Sequence, residues 1–207
     1  MSDPRERLDL LDWKDRVFRL YAAVRDAPDP REARRLWRQE RDELFRSHPQ
    51  SPIPPERRSA FAGLDYFDYR PDWRLELTVD PAPPERYEIP SSTGEPYSFE
   101  RFGTVSFEVD GSEASLELYW LEGYGGGLFV PLADATSGAS TYGGGRYLLD
   151  TVKGADLGRG ASGRLVFDFN FAYQPSCSYD PRWSCPLAPP ANRLAVPVEA
   201  GERLTRY

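Results

Sequence analysis

Apolar residues recur every three or four positions through the first fifty residues and every second position from Trp73 onward. The chain therefore reads as helix first and strand afterwards. Leu10, Trp13, Val17, Leu20, Tyr21 and Val24 form one stripe and predict a helix from about Asp9 to Arg25, ended by Pro28 and Pro30. A second helix starts with Asp29 as N-cap, Pro30 at the first helical position and Glu32 two further on, a capping-box pattern. Its buried face is Ala33, Leu36, Trp37 and Leu44, and it stops before His48-Pro49, because a residue preceding proline disfavours the helical region. Two helices alone cannot bury both Trp13 and Trp37, so the pair is expected to lie against something larger.

Four prolines between Pro49 and Pro55 predict an extended connector. Phe61, Leu64, Tyr66, Phe67 and Tyr69 come next without clear period, as an ordered aromatic loop packed on the body. Trp73, Leu75, Leu77 and Val79 then alternate with polar residues as a half-buried strand, which Pro81, Pro83 and Pro84 are expected to end. Val105, Phe107 and Val109 lead into Asp110-Gly111, a pair suited to a tight hairpin turn. The return strand places Leu116, Leu118 and Trp120 on one face, with Glu117 and Tyr119 on the other. Further strands are predicted at Leu128 to Leu132, Tyr147 to Val152 and Leu165 to Phe171, with Val196 to Val198 as an edge. The fold class is mainly β: an antiparallel β-sandwich or barrel of six to eight strands with an N-terminal α-helical hairpin. The divisions are residues 1–48 (hairpin), 49–72 (connector) and 73–207 (β domain), one structural unit overall.

Charge narrows the function classes. Residues 1–60 carry 14 Lys and Arg against 12 Asp and Glu, and the remainder carries 12 against 21. An acidic body argues against a nucleic-acid partner, which needs a basic face. The start, MSDPRERLDLLDWKDR, lacks the apolar core of a signal peptide, and no apolar run reaches bilayer length, so a cytoplasmic protein with no membrane partner is expected. In that compartment Cys177 and Cys185 read first as packed thiols, with a disulfide open in an oxidising setting. Their spacing matches no common zinc knuckle, and no metal or cofactor is expected.

Candidate chemistry concentrates between Thr141 and Arg193. On a strand over Leu165 to Phe171, the phenylalanines share one face, and Asp168 and Asn170 share the other, facing outward or into a cavity. Tyr142-Gly143-Gly144-Gly145-Arg146 offers positive φ angles, free N–H groups and a guanidinium suited to a carboxylate or phosphate. The plainer reading is a tight turn whose Arg146 pairs with Asp134, Asp150 or Asp168. Asp134, Thr136 and Ser137 read first as loop bracing, with orientation of Arg146 as the alternative. His48, the only histidine, reads as a surface or helix-capping residue.

The segments HPQSPIPPERRSAFAGLDYF, TYGGGRYLLD, DFNFAY and PSCSYDPRWSCPLAPPANRL together resemble an uncharacterised family of bacteria and archaea catalogued as a domain of unknown function. The resemblance runs from Trp13 to Gly201 and implies a free-standing unit, with no reaction or cofactor to transfer. From the residues themselves three functions compete. The first is a binding module for a small anionic ligand, with a pocket formed by Tyr142, Gly144, Arg146, Asp168, Asn170 and Tyr173. The second is a hydrolase using Asp168 as general base beside Arg146. The third is an interaction protein docking a partner through the surface from Pro49 to Tyr69.

Overall fold

A computed structural model describes residues 3–109 and 111–205. Asp110, and with it half of the expected Asp-Gly turn, lies outside the described residues; Gly111 has φ +75°. Helix α1 (Pro4–Asp26) begins five residues earlier than the apolar stripe implies. Asp3 caps it by accepting the Arg5 N–H at 2.9 Å, and Pro4 fits the first turn, so cap chemistry sets this end rather than burial. Helix α2 (Pro30–Ser47) starts where expected, with Asp29 accepting the Arg31 N–H at 2.7 Å. Glu32 turns to Arg35 at 3.4 Å instead of back to the cap, so only half of the expected capping box forms. A single helical turn, α3 (Pro55–Arg58), sits in the connector.

Seven strands follow among the described residues: β1 (Arg74–Leu77), β2 (Asp80–Ile89), β3 (Tyr97–Val109), β4 (Ser112–Leu121), β5 (Leu128–Leu132), β6 (Arg146–Asp150) and β7 (Leu165–Asp168). They make two antiparallel sheets, a β1–β7 ribbon and a five-stranded sheet in the order β2-β3-β4-β5-β6. The larger sheet stays open, with β2 and β6 as its edges, so the described residues form no closed barrel. Pro81, Pro83 and Pro84 lie inside β2 rather than ending the strand before it. An edge strand tolerates them because only one side of it must supply ladder bonds, and a bulge between Pro81 and Glu85 absorbs the misfit. Trp73 belongs to a 3-10 turn ahead of β1, and Thr151–Lys153 form another directly after β6. Val196 to Val198 form no strand; Val196 contributes one carbonyl, to Ala135 N–H at 3.3 Å.

Leu20, Tyr21 and Val24 of α1 and Ala33 and Trp37 of α2 share one buried cluster with Val105, Leu116, Val130, Leu148 and Phe167. Trp37 is fully buried, with its ring edge-on to Phe171 at 5.3 Å and Tyr66 at 5.6 Å. Truncating such a residue costs about 3–5 kcal/mol. A second cluster, built on Ile89, Phe99, Tyr119, Phe129 and Tyr147, covers the other face of the large sheet at one end. This is why Tyr119 is buried although it alternates with Leu118. Trp120, on the Leu118 face, overhangs the core, is 46% exposed and leans on Phe102. Between Arg101 and Gly103 the register slips, and the extra residue Phe102 reverses the alternation of β3. Phe99 thereby serves the second cluster while Val105 and Phe107 serve the first.

Candidate functional site

Arg146 opens β6 directly after the glycine triplet. Gly145 has φ +96°, and a Cβ there would lie 2.6 Å from the Leu132 carbonyl oxygen, so only glycine brings the chain this close to β5. The Gly144 carbonyl accepts the Ala188 N–H at 2.9 Å. The triplet is thus a packing turn. Arg146 is 1% exposed and sealed: Nη2 donates to Asp134 Oδ2 at 2.9 Å and to the Val198 carbonyl at 2.8 Å, while Nη1 donates to the carbonyls of Ala200 and Glu202. Burial lowers its pKa and Asp134 opposes that shift. Asp134 also accepts the Thr136 and Val198 N–H groups at 2.8 and 3.1 Å, so the pair laces the 198–202 segment to β6. The expected anion-binding arginine is a structural one.

Asp168 has a different setting. The strand expected to reach Phe171 ends at Asp168, because its carboxylate bonds its own backbone two residues on: Oδ1 accepts the Asn170 N–H at 3.0 Å and starts the 3-10 turn Phe169–Phe171. Asn170 Nδ2 also donates to that oxygen, at 2.8 Å. The rest of the Asn170 amide is spent on Arg70, accepting its N–H at 2.8 Å and donating to its carbonyl at 2.7 Å. Asn170 therefore braces Asp168 and holds the connector.

A cavity of about 120 Å³ lies beside Asp168, lined by Arg25 from α1, Arg74 from β1, Arg159 from the loop before β7, and an apolar wall including Val24, Leu157, Val166 and Phe171. One water needs roughly 10–15 Å³ on this measure, so there is room for a small anionic group. Arg74 is the register partner of Asp168 across the β1–β7 ladder. Each guanidinium commits Nη1 to a protein acceptor: Asp156 O at 2.7 Å for Arg25, Glu76 Oε1 at 3.3 Å for Arg74 and Gly163 O at 2.9 Å for Arg159. Among the described residues the other donors of these forks make no hydrogen bond. Gly158, at φ +71°, makes way for Arg25, whose Cδ would lie 2.8 Å from a Cβ there. Burial pushes the Asp168 carboxyl up to about 6, against the pull of the Asn170 hydrogen bonds and of Arg74 and Arg34. A carboxyl there exchanges its proton near neutral pH.

The other expected pocket residues lie elsewhere. Tyr173 borders a separate cavity of about 80 Å³, together with Tyr21 and Arg41, and its ring lies 5.1 Å from the Arg41 guanidinium. Beneath it Arg41 pairs at 2.6 Å with the fully buried Glu202, whose pKa burial raises to about 7. Tyr142 packs on the cysteines, its Oη 3.8 Å from Cys177 Sγ. His48 is buried rather than superficial. Its Nδ1 accepts the Gln50 N–H at 3.0 Å, so Nε2 carries the proton that reaches Asp12 Oδ2 at 3.0 Å and pins α1 to the end of α2. In the connector Ile53, Phe61 and Leu64 are buried, and Arg31 and Arg38 lie 4.5 Å over the rings of Tyr69 and Tyr66. The three arginines of the cavity went unnoticed in the sequence. The one available signal was Arg74, which heads an alternating strand whose ladder partner ends in Asp168.

The family described as "Protein of unknown function (DUF1684)" matches residues 59–203. The chain belongs to this family. The DUF1684 segment contains all seven strands, Arg74, Arg159 and Asp168, whereas Arg25 and the helical hairpin precede it. The chain is also similar to the solution NMR structure of an uncharacterized protein from gene locus rrnAC0354 of Haloarcula marismortui. The two are 41% identical, over 81% of this chain and 90% of that one, with a TM-score of 0.59. No curated protein matches the chain. DUF1684 membership therefore brings no activity with it. Among the described residues no helix is long and apolar enough to cross a membrane, and no group of three or more His, Cys, Asp or Glu side chains is placed to hold a metal ion.

Proposed function

We propose that the protein binds a small anion, a carboxylate or phosphate group, in the cavity between the helical hairpin and the β1–β7 ribbon. One observation carries this reading: three arginines from three separate segments surround one small cavity, with a carboxyl at its wall. Arg25, Arg74 and Arg159 supply charge-assisted donors, and Asp168, when protonated, donates to an anionic oxygen. Titration with inorganic phosphate, followed by amide NMR shifts, tests it. Each charge-assisted bond is worth about 1.5–3 kcal/mol, so Arg74→Ala should weaken binding by about tenfold or more. Unchanged affinity in both Arg74→Ala and Arg159→Ala would reject the site. The raised carboxyl at the cavity wall favours a second reading, in which Asp168 acts as general acid or base on a bound ester, with Arg74 as electrostatic stabiliser.

A further inference from the structure

The Cys177–Cys185 segment takes no part in the anion cavity. Cys177 sits in the 3-10 turn Ser176–Ser178, and Cys185 lies eight positions on, beyond Pro181. The fold brings them into contact: the Cys177 N–H donates to Cys185 Sγ at 3.4 Å. The Cys185 N–H is in turn held by Ser92 Oγ at 3.1 Å, which fixes the second sulfur from the β2–β3 connection. Both residues are free thiols, Cys177 at 8% exposure and Cys185 at 3%, so Cys177 is the more accessible member.

We propose that Cys177 and Cys185 form a dithiol centre that closes reversibly to a disulfide, with Cys177 attacking hydrogen peroxide and Cys185 resolving. The Cys177 thiolate attacks one peroxide oxygen, the O–O bond breaks, and a sulfenic acid forms while hydroxide leaves and takes up the proton that Cys177 released. Cys185 sulfur then attacks Cys177 sulfur. The S–S bond forms, the S–O bond breaks, and the leaving hydroxide takes the Cys185 proton as a second water. The thiols lose two electrons and the peroxide gains them. The surroundings suit these roles. The contact with Cys185 lowers the Cys177 thiol below its ordinary value, while the same contact and burial push Cys185 up. The other groups around the pair are Tyr142, Tyr147, Tyr173 and Lys153. Tyr142, raised to about 12 chiefly by burial, keeps its proton and can donate it to the thiolate.

The test treats the full chain with hydrogen peroxide, alkylates what remains and maps the peptides by mass spectrometry. Expected is one intramolecular Cys177–Cys185 bridge, reversed by dithiothreitol. Cys185→Ser should stop at a Cys177 sulfenic acid captured by dimedone, and Cys177→Ser should slow oxidation of Cys185 by about tenfold or more, since the thiolate is the reactive form. The wild-type experiment stands even if a variant fails to fold. Full alkylation of both cysteines after peroxide treatment of the folded chain overturns the proposal, as does a dimedone adduct on Cys185 in Cys177→Ser formed as fast as that on Cys177 in Cys185→Ser.

Discussion

Arg146 with Asp134 and Arg74 with Asp168 are both arginine–carboxylate neighbours at strand ends, yet they serve opposite ends. The first pair is closed at 2.9 Å, nearly solvent-free, and ringed by three carbonyls and two N–H groups that satisfy most of what it offers. The second is arranged across a ladder at the wall of a cavity, with an incompletely committed guanidinium and a carboxyl raised to about 6. A buried charge whose hydrogen bonds are filled from the backbone holds a fold together. A charge with donors left over beside a cavity is what a ligand can use.

The largest effect should come from breaking the closed pair. Arg146→Met strands Asp134 as an uncompensated buried charge and should cost about 3–5 kcal/mol, seen as a lower urea midpoint. An Arg146→Met protein as stable as the parent would dissolve the contrast. Next is Asp168→Asn. The folded carboxyl titrates above its unfolded range, so its stabilising contribution is present at low pH and lost as pH rises from about 4 to about 6. The asparagine variant should therefore gain up to about 3 kcal/mol on the parent at pH 8 and little at pH 3.5, in paired denaturation curves. A gain of equal size at both pH values would mean that ionisation is not the cause. Smallest is Arg159→Ala, on an exposed side chain: stability should stay within about 0.5 kcal/mol while phosphate affinity falls severalfold. A matching loss of stability would make Arg159 another structural arginine.

Much of this architecture could be read from local pattern. Leu20, Tyr21 and Val24 announce α1, Asp29-Pro30 marks the start of α2, and the alternation around Val105 and Leu116 announces the β3–β4 hairpin. These signals depend on residues a few positions apart. The site depends on contacts that are not. Asp168 stood out by its type, but Arg74 meets it only because β1 pairs with β7, more than ninety residues later in the chain. Arg25 arrives from the far end of α1 over Gly158. For Arg146 the plainer reading, a pairing with Asp134, holds, whereas the carbonyls that fill the rest of its fork come from 198–202, where no strand forms to announce them. The inserted Phe102 likewise leaves the strand looking regular in sequence while exchanging which residues meet which core.

The prolines of β2 carry a consequence for behaviour at high concentration. An open sheet invites further strands onto its rim, the usual first step of ordered aggregation. Pro81, Pro83 and Pro84 carry no amide donor, the bulge beside them spoils the register, and Glu85, Arg86 and Glu88 put charge along the second half of the strand. An arriving chain meets a template it cannot copy, so β2 acts as a guard against fibril growth at the most accessible border of the sheet.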